Sequence, residues 1–348
     1  MNKVTLGRTG IVSPKNAFGA LPIQRISIEQ AAVILRRAYD SGFRFFDTAR
    51  GYTDSEEKLG YALSDRRHDI FIATKTMASN VKEFWEYLDT SLTKLKTDYI
   101  DVYQFHSPSY VPRPGDEIGL YDAALEAKKQ GKIRFIGFTN HRLNVAEEAV
   151  RSGLFDTLQF PFCYLASEDD INLVQLCKEQ NVGFIAMKAL SGGLITKADA
   201  AFAWLDQFDN VLPIWGIQRE SELEQFAGFF TNPPAMDKEM TATIETDRKE
   251  LVGSFCRGCG YCAPCPQDIQ ISNCARMSQL IRRAPTTGWL GDFWKAAMLN
   301  IENCTGCGVC MSRCPYNLEV PELLKKNLAD YKEILADYKE ILAGNVSV

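Results

Sequence analysis

The 348 residues predict an α/β chain: a (β/α)8 barrel of the TIM type over 1–230, a linker over 231–251, a small cysteine-dense domain over 252–325 and a C-terminal helical tail over 326–348. Three observations carry this expectation. From residue 18 to about 230, β-branched or aromatic runs alternate with longer amphipathic segments, the rhythm of repeated βα units. No G-x-G-x-x-G turn follows an early run, where an open dinucleotide-binding sheet would carry one. Nine of the 11 cysteines fall between Cys256 and Cys314, so a cysteine-poor body precedes a cysteine-rich module.

Taken in order, the strand-like runs are 18–21, 43–46, 70–73, 100–105, 133–138, 157–160, 182–187 and 211–215. Each is short, apolar and bounded by polar or turn residues, as a fully buried parallel strand should be. Between them lie helical patterns such as 27–41, 81–95, 121–130 and 169–180, many opening after Ser, Thr, Asp or Asn, whose side chains cap free N–H groups. The Gly-rich Ser191-Gly192-Gly193 follows the seventh run, where barrels hold phosphate groups. Past residue 231 the chain turns polar and Pro-containing, at Asn232-Pro233-Pro234. In the tail, the heptad Leu-Ala-Asp-Tyr-Lys-Glu-Ile occurs twice in succession, placing Leu328, Tyr331, Leu335, Tyr338 and Leu342 on one helical face. Two heptads are short for a coiled coil, so a tail helix packed on its own barrel is expected.

Composition narrows the function. At 46% hydrophobic and 24% charged residues the chain has ample core, which excludes a disordered or collagen-like protein. A net charge of −5 without long single-sign runs predicts no nucleic-acid partner and no anionic membrane surface. No stretch reaches the roughly 18 continuous apolar residues of a membrane span, and a cytoplasmic protein is expected. In a reducing compartment, clustered cysteines point to metal ligation rather than disulfides.

Polar residues fall just past the C-terminal ends of successive runs: Asp47 and Tyr52 after the second, Lys75 after the third and His106 after the fourth. In a barrel these positions share one mouth, the catalytic face. A Tyr beside a Lys is a sensible proton donor, because an ammonium favours phenolate and should lower the phenol pKa, while Asp47 keeps the Lys charged. The segments Phe46-Asp47-Thr48-Ala49-Arg50-Gly51-Tyr52, Ile72-Ala73-Thr74-Lys75-Thr76 and Asp101-Val102-Tyr103-Gln104-Phe105-His106-Ser107-Pro108 resemble the signature segments of the aldo-keto reductases. The resemblance implies a tetrad of Asp47, Tyr52, Lys75 and His106, hydride exchange between a nicotinamide and a carbonyl carbon, and Tyr52 as the acid or base at the oxygen.

By the same resemblance Thr139, Asn140 and Gln159 match the residues that hold the nicotinamide carboxamide. Arg219 stands at the basic position that meets a 2′-phosphate, which favours NADP(H) because a guanidinium recognises phosphate bidentately. Where family members stack a Tyr on the nicotinamide, this chain has Met187, followed by Lys188. Lys188, Ser191, Gly192, Gly193 and Arg219 could instead hold the phosphate of FMN, since flavins also bind at barrel mouths after the late strands. Arg50 and His141 are further candidates to favour an anionic substrate.

The run Cys304-x2-Cys307-x2-Cys310-x3-Cys314-Pro315 is the bacterial ferredoxin pattern for 4Fe-4S clusters. The earlier run Cys256-x2-Cys259-x2-Cys262-x2-Cys265-Pro266 is one residue shorter before its last Cys and resembles the first motif of aldo-keto reductases with a C-terminal ferredoxin-like dicluster domain. Ferredoxin pairing implies one cluster on Cys256, Cys259, Cys262 and Cys314 and a second on Cys304, Cys307, Cys310 and Cys265, with Cys274 as the substitute for Cys265. Zinc prefers paired knuckles separated by a longer loop, a pattern these runs lack. The expected function is an NADP(H)-linked oxidoreductase of a small carbonyl or alcohol substrate, exchanging electrons with a redox protein partner through two 4Fe-4S clusters. The alternatives are a flavin-containing electron-transfer protein and a redox-sensing barrel without turnover.

Overall fold

The computed structural model describes residues 1–251, 255–283 and 287–342. The chain forms two compact units: one is Met1–Ala189 with Ala198–Ala242, the other Leu190–Lys197 with the chain from Thr243 onward.

The first unit opens with an antiparallel hairpin of β1 (Lys3–Thr5) and β2 (Val12–Pro14). Eight parallel strands follow: β3 (Ala17–Gly19), β4 (Phe45–Asp47), β5 (Phe71–Thr76), β6 (Ile100–His106), β7 (Ile133–Thr139), β8 (Thr157–Pro161), β9 (Gly183–Met187) and β10 (Val211–Gly216). They close into a barrel in chain order, with β10 pairing β3. Alternation along each strand sends every second residue inward. Phe45, Ala73, Val102, Ile185, Leu212 and Ile214 therefore form an apolar layer, onto which the hairpin region packs Val4, Leu6 and Ile11. Outward residues such as Tyr103 meet the surrounding helices, where Phe84 lies edge-on to it at 5.6 Å.

Helix starts follow the expected chemistry. Ser27 and Gln30 make reciprocal bonds ahead of the helix Ile28–Ser41, and Asn80 and Ser167 cap Val81–Leu95 and Glu168–Glu179. Each cap is worth about 1 kcal/mol. Within the span predicted as linker, Lys238–Leu251 is a helix, started by Asp237, whose carboxylate accepts the Met240 N–H at 2.7 Å. Its buried apolar anchors, Ile244 and Leu251, are too sparse to give a recognisable stripe.

In the second unit a core of Ile269, Ile271, Met277, Met298, Ile301 and Leu318 gathers around Cys262, Cys274 and Cys310. The tail helix begins at Val320, earlier than expected, and runs to Leu342. Its predicted seat on the barrel is corrected: Leu324, Leu328 and Tyr331 are buried in the core of the cysteine module. Tyr331 donates to Trp289 O at 2.8 Å, and Asn327 donates to Ala275 O at 3.1 Å while accepting from Ser278 N at 2.9 Å. A module this small cannot bury enough apolar surface alone, and the helix supplies it. Tyr338 and Leu342 of the heptads lie outside the residues whose side chains are described. Among the described residues, no helix is long and apolar enough to cross a membrane.

Candidate active site and cysteine centre

Above the apolar layer, the next inward positions of four strands are polar: Asp47 on β4, Lys75 on β5, Gln104 on β6 and Gln159 on β8. All are buried. The Lys75 ammonium donates to both Asp47 oxygens at 2.7 and 2.8 Å and to Thr48 O at 2.6 Å, which uses all its protons. Gln159 donates to Asp47 at 3.4 Å. Gln104 donates to Asp47 at 3.4 Å and to Gln159 Oε1 at 2.9 Å. Gly137 on β7 makes room for it, since a Cβ there would stand 2.7 Å from Gln104 Cγ and 2.6 Å from Thr157 Oγ1. Burial drives the Asp47 carboxyl up and the Lys75 ammonium down from their ordinary values, and in each case the partner's charge opposes it.

Tyr52 reaches the same mouth from the loop after β4. The loop is pinned by Ser55, which bonds Thr48 Oγ1 at 2.8 Å and Ala20 O at 2.9 Å. The Tyr52 ring is half-buried, lies edge-on to His106 at 5.8 Å between centroids, and has the Lys75 ammonium 5.2 Å from its own centroid. The expected downward shift of the phenol is corrected. Its pKa is raised, first by desolvation and then by the Asp47 charge. Lys75 is bound to Asp47 on its donor side, so no ammonium proton is left to bind the Tyr52 oxygen. His106 is pulled down to about 3 by desolvation and by the Lys75 charge, and its imidazole is neutral.

The structure brings the residues expected at the carboxamide to the same end of the barrel. Thr139 closes β7, its hydroxyl 3.3 Å from that of Ser107. The Asn140 amide is already engaged: it donates to Pro108 O at 2.8 Å and accepts the N–H groups of His141 and Arg142, both at 2.9 Å. Met187 ends β9, half-buried against the apolar layer, and Lys188 follows with φ 56°. His141 is buried, and its pKa lies well below the ordinary value through desolvation, then through the charge of Lys188. Arg219 is exposed just ahead of the helix Glu220–Thr231. Ser191 and Gly193 lie in the segment that groups with the second unit. Arg50 is committed to the buried Glu56, which also accepts from Thr74 Oγ1 at 2.7 Å, so it supports the Tyr52 loop. Gln104, Glu56 and Thr74 were not singled out from sequence. Gln104 had a signal, a polar residue on the inward face of its strand, two positions after Val102 and two before His106.

In the second unit, eight cysteines ring two cavities. Cys262, Cys265, Cys304, Cys307 and Cys310 line one of about 380 Å³, and Cys262 borders both. Cys256, Cys259, Cys262 and Cys314 line the other, of about 350 Å³. Cys274 is fully buried and outside both linings, its thiol 3.7 Å from Ala297 O. Among the described residues, no three His, Cys, Asp or Glu side chains converge tightly enough for a single ion. Thiols spread around a cavity, with backbone turning through Gly258, Gly260, Gly306 and Gly308 at positive φ, fit a polynuclear iron-sulfur group. Gly258 N and Gln267 N already point at the Cys256 and Cys265 sulfurs, at 3.4 Å. Burial pushes the Cys262 thiol up to about 12, so a free thiolate is disfavoured there and metal ligation would have to displace the proton.

Comparison with known proteins agrees with both halves. The sequence model of the aldo/keto reductase family matches residues 15–202, and that of a 4Fe-4S dicluster domain matches residues 255–319. An uncharacterized oxidoreductase of Bacillus subtilis (strain 168), YqkF, is 27% identical over 318 residues, covering 85% of this chain and 99% of that protein. L-galactose dehydrogenase of Arabidopsis thaliana is 29% identical over 214 residues, 55% of this chain and 66% of that enzyme. In fold, the chain is similar to an aldo-keto reductase from Klebsiella pneumoniae solved in complex with NADPH, with a TM-score of 0.61, 20% identity, and coverage of 71% of this chain and 95% of that one.

Proposed function

The chain belongs to the aldo/keto reductase family and carries a 4Fe-4S dicluster domain, and from that premise we propose that it interconverts a small carbonyl compound and its alcohol with NADP(H), with two 4Fe-4S clusters exchanging electrons with a redox protein. The observation that carries the reading is the convergence of Asp47, Lys75, Tyr52 and His106 at one end of the barrel. A bound nicotinamide would supply or accept the hydride.

Tyr52 holds its proton at neutral pH, because its pKa is raised, and delivers it to the carbonyl oxygen. His106, neutral, orients that oxygen by a hydrogen bond. Gln159, Thr139 and Asn140 would hold the carboxamide; Gln159 gives one amide proton to Asp47, which leaves the other for it. Arg219 would meet the 2′-phosphate, and Lys188, Ser191 and Gly193 the other phosphate groups or a substrate anion. In the module, one cluster would take Cys256, Cys259, Cys262 and Cys314 and the other Cys265, Cys304, Cys307 and Cys310, supported by the two cavity linings.

The test is anaerobic purification with identification of the bound cofactor, followed by NADPH-driven carbonyl reduction in wild type and Tyr52→Phe. The reading expects no flavin and a loss of about 10²- to 10⁴-fold in rate. Release of FMN would replace it with the flavin reading that Met187, in place of a stacking aromatic, leaves open. Unchanged reduction in Tyr52→Phe would remove Tyr52 as the acid.

A further inference from the structure

We propose that Arg276 is the built-in counter-cation of the cluster held by Cys256, Cys259, Cys262 and Cys314, and that it makes this cluster the higher-potential of the two. The inference rests on the two-cluster reading above and adds an inequality between the clusters.

Arg276 follows Cys274 and Ala275 and packs beneath the turn of the first cysteine run. Gly258 permits the approach: a Cβ there would stand 2.7 Å from the guanidinium carbon. The guanidinium donates to Gly192 O and to Asn273 Oδ1, both at 3.3 Å, while its Nε is buried without a partner among the described residues. Both of its acceptors are neutral, and its charge partners are the sulfurs of Cys256 and Cys259. Arg276 is half-buried with its Nε cut off from water, and a cation so placed gains from an anion beside it. The compensating anion would be the thiolate-ligated cluster beside the Cys256–Cys259 turn.

The second cavity is differently furnished. Among the described residues, no Lys or Arg lines the cavity of Cys265, Cys304, Cys307 and Cys310, whereas Arg257 lines that of Cys256, Cys259, Cys262 and Cys314, with Arg276 behind the turn. A cation near Cys304 is Lys325, whose side chain is 69% exposed and therefore screened by water. Reduction adds one negative charge to a cluster, and a desolvated cation nearby stabilises that charge, so net charge and surroundings set the potential. A single electron in the module would therefore rest on the Arg276 side, the Cys265 side losing one electron as the other gains it, with no bond made or broken.

The test is a redox titration of anaerobically purified holoprotein with dithionite, followed by EPR, after iron and acid-labile sulfide have established the cluster count. Wild type is expected to titrate in two one-electron steps, the lower of which is the one altered by Cys307→Ser. In Arg276→Met the upper step should fall by about tenfold in its equilibrium constant, roughly 59 mV, while the lower step stays. Arg276→Lys, which keeps the charge, should remain near wild type. Should Arg276→Met lose the upper cluster while Arg276→Lys retains it, the counter-charge role stands. The proposal is overturned if Arg276→Met leaves the upper step in place, if the lower step moves instead, or if Lys does no better than Met. A wild type with one cluster would sink the two-cluster reading itself, a result separate from an unshifted variant of a two-cluster protein.

Discussion

The barrel mouth and the cysteine module solve the same problem, buried charge, in opposite ways. At the mouth the buried Asp47–Lys75 pair is satisfied within the chain: Lys75 spends its protons on Asp47 and Thr48, and Gln104 and Gln159 close around the carboxylate. In the module, Arg276 has only neutral hydrogen-bond acceptors, and the Cys262 thiol is pushed up to about 12 by burial. One region is preorganised before any ligand arrives; the other is completed by its occupant. Their stabilities should respond to different insults.

The largest expected difference follows iron removal. A module whose core includes Cys262 and Cys310 should lose its amide protection over residues 255–342 on chelation, as small metal-dependent domains do, while the barrel keeps its own thermal transition. Hydrogen exchange of apo and holo protein measures this, and a module that stays protected without iron would erase the contrast. Next in size, Lys75→Met strands Asp47 without its cation and should cost about 3–5 kcal/mol in urea unfolding, a loss that Asp47→Asn in the same chain should partly restore. Gln104→Leu removes a donor from Asp47 and from Gln159 Oε1 and should cost about 1–3 kcal/mol, with nicotinamide affinity weakened because Gln159 is then free to turn its amide. Unaltered stability and binding would show that water replaces Gln104.

The smallest effect is on pH. With His106 at about 3 and Tyr52 above its ordinary value, the imidazole is already neutral and the phenol still protonated between pH 5 and 9. Neither should produce an inflection in carbonyl reduction over that range. A limb near 6.5 that disappears in His106→Asn would show that His106 titrates normally and that the mouth is wetter than its burial implies.

Much of this arrangement was legible because barrel catalysis sits at strand ends, where a polar residue interrupts an apolar run, as Asp47, Lys75 and His106 do. The cysteine spacing was legible because ligand geometry imposes it locally. What escaped depends on contacts between distant segments. Strands of three residues, Lys3–Thr5 and Val12–Pro14, are too short to show a period. The Tyr52 shift has the opposite sign from the expected one because Lys75 is already spent on Asp47, a fact of geometry rather than of residue type. The tail heptads announced an apolar face at Leu328 and Tyr331 but not that the cysteine module needed it.

The hairpin at the start of the chain has a consequence for stability. Val4, Leu6 and Ile11 pack on the apolar layer at the end of the barrel opposite its polar layer, so the first dozen residues complete the barrel core, and their removal would expose that layer to water far from any atom that reacts.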